Sequence, residues 1–296
     1  MTAADTKERY AWSSWRETRR EYARLWRRFA SNPLAVAAAA ILLVIVLAAL
    51  FAPLVAPDDP TVQNLARQDA PPGSEVLLGA DQLGRDVLSR LIYGGRIALE
   101  VGVISIVVAL VLGTAIGTAA GYFGGWLDDV VMRVMDVLLA FPYLLLAIAI
   151  VAALGPGVLN TIIAITVWLT PTYARLSRSV VLTVRRHAYV EAARAIGASH
   201  GGIMMRHVLP NILTPILVQT TLDFARAIMM EAGLSFLGYG VQPPIPSWGS
   251  MIAEGRNELL VAPHIATAPG LAIVMTVLCL NIVGDALREA LDPRAG

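Results

Sequence analysis

The stretch from Glu191 to Pro210, EAARAIGASHGGIMMRHVLP, is a polar, Ala-rich island between two long apolar blocks. The fold follows from how often the chain crosses a membrane before and after it. Six apolar blocks approach or reach the length that spans a hydrocarbon core of about 30 Å at 1.5 Å per residue. They are Leu34–Val55, Ile97–Tyr122, Val130–Leu154, Val158–Leu176, Asn211–Leu234 and Ile265–Val283. With 56% hydrophobic and 15% charged residues among 296, and a mean hydropathy of +0.64, the chain is neither an ordinary soluble domain nor a disordered one. The expected fold is an all-α membrane protein with six transmembrane helices.

Charge placement orients these spans. Lys7, Arg9, Arg16, Arg19, Arg20, Arg24, Arg27 and Arg28 precede the first block, and such an excess holds that end in the cytoplasm. Six crossings then put both termini in the cytoplasm. The island falls on the same side, together with Arg175, Arg178, Arg185, Arg186, Arg194 and Arg206. Arg67, Arg85, Arg90 and Arg96 fall outside, accompanied by Asp58, Asp59, Asp69, Glu75, Asp81 and Asp86; long loops follow the charge rule weakly. The first apolar run is about twice the 7–15 residues of a signal peptide, which favours a retained anchor. Trp15, Tyr22, Trp26 and Phe29 recur at helical spacing among arginines, the pattern of an interfacial helix, with a basic tail as the alternative.

Leu78–Arg96, LGADQLGRDVLSRLIYGGR, reads as a short amphipathic helix, because Leu83, Val87, Leu88, Leu91 and Ile92 alternate with charges. Gly113, Gly117 and Gly121, four residues apart, make a flat stripe for close helix packing. Arg133 and Asp136 stand three apart on one face and are expected to neutralise each other. The fifth block carries Asp223, Arg226 and Glu231, and ionisable groups at membrane depth need a partner or a water-filled cavity. They are candidates for lining a translocation pathway; an Asp223–Arg226 pair locking two helices is the alternative.

Several chemistries are excluded. Lys7 is the sole lysine, so a Gly-Lys-Ser/Thr phosphate loop cannot form, and ATP use would require another polypeptide. Cys279 is the sole cysteine, which removes disulfides and multi-cysteine metal sites. His187, His200, His207 and His264 lack metal-binding spacing, so neither a metal site nor a catalytic one is expected. Gly197-Ala198-Ser199-His200-Gly201 fits G-x-S-x-G, but no strand precedes it, as a nucleophile elbow requires.

Within the island, Ala188, Ala192, Ala195 and Ile196 fall on one helical stripe, with Glu191 and Arg194 facing elsewhere. Gly197 permits a turn before a second segment, Ile203–Val208. Pro210 suits the first turn of the next span. Glu191-Ala192-Ala193, then Gly197, then Leu209-Pro210 resemble the EAA loop of ABC importer permeases. Where that pattern has Ile, this chain has His207, which shifts the expected apolar contact onto Val208. Leu78–Arg96 and Leu234–Arg256, LSFLGYGVQPPIPSWGSMIAEGR, are similar to stretches of the peptide/nickel permease family, on the side of the dipeptide and oligopeptide C-type subunit. The resemblance spans roughly residues 30–290.

It implies an ATP-driven, binding-protein-dependent importer working by alternating access in a bacterial or archaeal plasma (inner) membrane. The implied substrates are di- or oligopeptides, with nickel chelates, glutathione or opines as alternatives; an ion-coupled secondary transporter is the alternative of another class. Implied partners are a second, non-identical permease subunit, two ATPase subunits carrying the ATP and Mg2+, and an extracytoplasmic binding protein. Glu191, Ala192, Ala193, Gly197, Leu209 and Pro210 would couple to the ATPase. The organisation expected is a cytoplasmic amphipathic segment (1–33), a first transmembrane helix with an external segment (34–96), a permease core containing the coupling loop at about 188–210 (97–290), and a tail (291–296).

Overall fold

The computed structural model describes residues 27–73 and 75–291, so most of the N-terminal segment, including Trp15, Tyr22 and Trp26, lies outside the described residues. The principal helices are α1 (Pro33–Leu50), α2 (Val87–Phe123), α3 (Gly125–Ala140), α4 (Tyr143–Leu154), α5 (Val158–Val184), α6 (Ala188–Ala195), α7 (Leu209–Phe236), α8 (Trp248–Gly255) and α9 (His264–Leu291). Among the described residues the sole β pairing is an isolated bridge between Ala80 and Asp86.

Helix starts follow local chemistry. Asn32 Oδ1 accepts from the backbone N–H of Leu34 and Ala35 at 3.1 and 3.2 Å, with Pro33 in the first turn, where no donor is needed. Within α1 Ala35, Ala38 and Ala49 are buried, while Leu43, Val44 and Leu50 are exposed, as suits a span facing lipid. Asp86 caps α2 by accepting from Ser89 N at 2.7 Å. The separate helix expected over Leu78–Arg96 does not form: the chain is loop up to Asp86, then one helix of 37 residues, roughly 55 Å long. The weak point at Gly94-Gly95 is covered by the Trp248 ring, which leaves no room for a Cβ at either glycine.

The block Val130–Leu154 does not run straight. α3 and α4 meet at 96°, because Pro142 disfavours helical geometry at the residue before it, and Phe141 sits in extended backbone at φ −82°, ψ 137°. Among the described residues, four helical stretches are long and apolar enough to cross a membrane: α1, α2, His200–Phe236 and His264–Ala290; the bent pair makes up to five. α5, at 27 residues, is long but carries Thr161, Thr166, Thr170 and Ser177 on its buried side.

The core is centred on α2 against α5. Gly113 and Gly117 put α2 backbone directly on α5, where a Cβ would overlap the carbonyls of Thr170 and Ala174, and at Gly121 a Cβ would come within 3.1 Å of Val181 Cβ. Around this seam lie Val101, Ile106, Ile165, Leu169, Tyr173 and Val181, joined by Ile212, Ile216 and Met230 of α7. The Arg133–Asp136 pair is not made. Asp136 instead faces Arg175 at 3.9 Å, and Arg178 grips both oxygens of Asp128 at 2.5 and 2.6 Å, which ties α3 to α5. A long arginine reaching back from a packed neighbour outcompetes the same-helix pair.

Candidate functional site

α6 presents two faces. Val190 and Ala193 point inward, into the cluster holding Ile203, Val208, Val181 and Val184. Ala188, Ala192, Ala195 and Ile196 point outward beside Glu191, all exposed, with Ile196 85% exposed. The Ala-rich stripe is therefore a free surface of small side chains edged by one carboxylate. Gly197, at φ +81°, stops the helix: its N–H donates to Arg194 O, and Ala198 N–H donates to Ala193 O, both at 3.0 Å. Ser199 Oγ then accepts from Gly202 N at 3.2 Å and opens the next turn.

From His200 the backbone stays helical through to Phe236. The second segment is thus not separated from the span, as the sequence suggested; it is the base of the same helix. Met204–Val208 form a π turn in which Leu209 N donates to Met204 O, five residues back. Pro210 supplies the reason: it has no N–H for Arg206 O, and its ring crowds that carbonyl, so the turn widens while the helix continues.

The base is clamped from the side. Tyr122, at the end of α2, hydrogen-bonds through its hydroxyl to His200 Nδ1 at 3.0 Å, and its ring lies 5.3 Å below the Arg194 guanidinium. His207 is half-exposed, 5.9 Å from the Tyr189 ring, while Val208 is fully buried, so the apolar contact sits one residue on, at Val208. Asn211 Nδ2 donates to His207 O at 2.7 Å.

At mid-depth on α7, Asp223 has no exposed surface. Both its oxygens accept from Gln219 Nε2 at 3.1 Å, and Oδ1 also accepts from Arg226 Nη1 at 3.0 Å. Tyr173 of α5 is next to this group, with its hydroxyl 3.5 Å from Thr220 Oγ1. The Arg226 side chain is 56% exposed. Glu231, expected in the same pathway-lining group, is instead enclosed: Ser235 Oγ donates to its Oε1 at 2.7 Å, and Val241 N donates to that hydroxyl at 3.1 Å. It anchors the loop that follows α7. Gly249, whose Cβ would overlap Ala232 O, lets α8 close over the same end.

One cluster escaped sequence reasoning. Asp81 accepts from Arg85 Nε at 2.7 Å and from Arg90, and Glu254 of α8 accepts from Arg85 Nη2 and Arg90 Nη1, each at 2.7 Å, and from Arg90 Nη2 at 3.1 Å. Gln82 Nε2 adds a bond to Glu254 O at 2.8 Å, and Trp248 Nε1 donates to Leu91 O at 2.9 Å. Leu78–Arg96 and Leu234–Arg256 are therefore two halves of one buried ionic joint. No signal along the chain pairs residues more than 150 positions apart; an alternation of Arg and Asp beside Gly-Gly was the sole hint. Among the described residues no cluster of His, Cys, Asp or Glu could hold a metal ion.

Comparison with known proteins comes to bear on this geometry. Residues 113–296 match the family described as binding-protein-dependent transport system inner membrane component, and residues 22–72 match the N-terminal TM domain of oligopeptide transport permease C. The glutathione transport system permease protein GsiD of Escherichia coli O6:K15:H31 (strain 536 / UPEC) is 43% identical over 281 residues, 94% of this chain and 92% of that one. The di/tripeptide transport system permease protein DppC of Pseudomonas aeruginosa (strain UCBPP-PA14) is 46% identical over 275 residues, 91% of each. An inward-facing structure of the MetNI methionine ABC transporter superposes with a TM-score of 0.55 at 18% identity, over 69% of this chain and 96% of that one, a likeness of fold.

Proposed function

The chain belongs to the binding-protein-dependent transport system inner membrane components, of the peptide/nickel permease type, and from that premise we propose that it carries di- or oligopeptides or glutathione inward, driven by ATPase subunits docked on α6. The observation that carries this reading is the exposed stripe Ala188, Ala192, Ala195 and Ile196, edged by Glu191, on a helix whose opposite face is locked into the core. Small side chains allow a partner surface to approach closely. The neighbouring Glu191 supplies a charged contact.

In this account the chain crosses the membrane six times, counting α3–α4 as one broken span and α5 as another, with both termini and α6 in the cytoplasm. Ala192, Ala193 and Gly197 shape the coupling helix and its stop, and Leu209-Pro210 form its exit into α7. ATP and Mg2+ are held by two ATPase subunits, a second, non-identical permease completes the pathway, and an extracytoplasmic binding protein delivers substrate. Closure of the ATPases displaces α6. Because Val190 and Ala193 share one buried cluster with Ile203 and Val208, the push passes to the base of α7, which is continuous with the helix bearing Asp223 and Arg226. Alternating access follows as a rigid-body rearrangement.

Co-purification with the ATPase, followed by uptake in proteoliposomes, tests the proposal. Glu191→Lys reverses the one charge on the stripe, and losing a charge-assisted contact of about 1.5–3 kcal/mol lowers ATPase affinity roughly 10–150-fold. Intact assembly and intact ATP-driven uptake in that variant would overturn the coupling role. Uptake sustained by a proton or sodium gradient without ATP would overturn the import mechanism.

A further inference from the structure

We infer that Arg226 is a carboxylate-recognition residue of the translocation pathway, engaging the free C-terminal carboxylate of a peptide-like substrate; this rests on the import reading above. The Asp223 carboxylate is wholly buried and engaged on its own helix, by Gln219 through both oxygens and by Arg226 through one nitrogen. Burial therefore withholds Asp223 from a ligand. Arg226 is in the opposite position: of its five guanidinium donors, one Nη1 contact is made to Asp223, and the side chain is 56% exposed at mid-depth of a helix long and apolar enough to span a membrane.

An exposed guanidinium cannot rest against hydrocarbon, so this face of α7 meets water, a ligand or another polar surface. Pro215, Gln219, Leu222, Arg226, Met229 and Gly233 recur at intervals of three and four and are all at least partly exposed, forming one stripe along α7, with Leu222 bordering Gly284 of α9 and Gly233 bordering Leu144 of α4. α5 contacts α7 elsewhere, through Tyr173 and Thr220, as do α2, through Gly102 and Phe224, and α9, through Gly284 and Thr221. The buried Asp223 fixes one side of the guanidinium fork and turns its free donors outward. That geometry suits a planar, two-oxygen anion gripped by two parallel N–H donors. Gln219 supplies a neutral amide two turns below Arg226.

The test uses the purified complex of both permeases and the ATPases in nanodiscs, without binding protein, and measures retention of radiolabelled trialanine and of trialanine carboxamide. The wild type should hold the acid at least tenfold more tightly than the amide. Arg226→Gln should erase that difference, and Arg226→Lys should restore part of it, with ATPase co-purification unchanged in both. Equal binding of acid and amide by the wild type, or no retention of either, would overturn the inference. Loss of the second permease from Arg226→Gln would also overturn it, since Arg226 would then pair with a carboxylate of that subunit. Failure of the wild-type chain to assemble with an ATPase would instead count against the import reading itself.

Discussion

Glu254→Gln should weaken the protein far more than its partly exposed position suggests. In the wild type, two guanidinium groups share two carboxylates: Asp81 and Arg90 with about 2% of their side chains exposed, Arg85 with 8% and Glu254 with 28%. Replacing Glu254 leaves one amide oxygen able to accept at most two of the three guanidinium hydrogen bonds, removes the negative charge, and leaves Arg85 and Arg90 facing a single carboxylate. Breaking a fully buried ion pair costs about 3–5 kcal/mol. Water reaching the Glu254 side reduces this, so about 2–3 kcal/mol is expected. For a chain of this size that corresponds to a fall of roughly 4–12 °C in the thermal midpoint. The assay is thermal unfolding of the purified protein in detergent, followed by size-exclusion fluorescence. Arg67→Ala is the internal control: its 3.4 Å pair with Asp58 is exposed on both sides and is worth at most about 1 kcal/mol. A Glu254→Gln midpoint no lower than that of Arg67→Ala would refute the reasoning that this joint holds the outer loop to α8.

Two further outcomes follow from the packing. Gly117→Ala places a methyl on the Ala174 carbonyl, so the α2–α5 seam must open at a cost of about 1–3 kcal/mol; Gly201→Ala, which meets nothing within 4 Å, should leave the midpoint unchanged or slightly raised, and equal effects would contradict the close seam. Val208→Ala removes two methyl groups from a fully buried site and should cost about 2 kcal/mol, against less than about 1 kcal/mol for His207→Ala at its half-exposed neighbour; a reversed order in thermal midpoints would return the apolar contact to position 207.

Much of this was legible in the chain because lipid imposes simple rules. The Gly113–Gly117–Gly121 repeat and the Asp223–Arg226 spacing each declare themselves within one helix, where periodicity maps directly onto a face; span length does so less fully, since among the described residues four to five helical stretches, against six expected, are long and apolar enough to cross a membrane. Val130–Leu154 reads along the chain as one block, and the 96° turn at Pro142 within it depends on what α4 packs against. Leu78–Arg96 misled because its alternation is that of an amphipathic helix, whereas the charges serve a tertiary joint that closes with α8. The π turn was hidden for a different reason. Pro210 reads equally well as the start of a new helix or as a defect within a continuing one, and burial of Ile203, Val208 and Ile212 on one side decides between them.

The central claim is that α6 is a cytoplasmic docking face for a separate ATPase, and one labelling experiment addresses it. Cys279 is the sole cysteine and is buried, so Cys279→Ala combined with Ile196→Cys gives a single reporter on the most exposed large apolar residue of the island, 85% accessible in this chain alone. A membrane-impermeant maleimide should label it in inside-out vesicles bearing the permeases alone, leave it untouched in intact cells, and lose access to it once the ATPase subunits are bound. Labelling from outside intact cells, or labelling that ATPase binding does not diminish, would contradict the account.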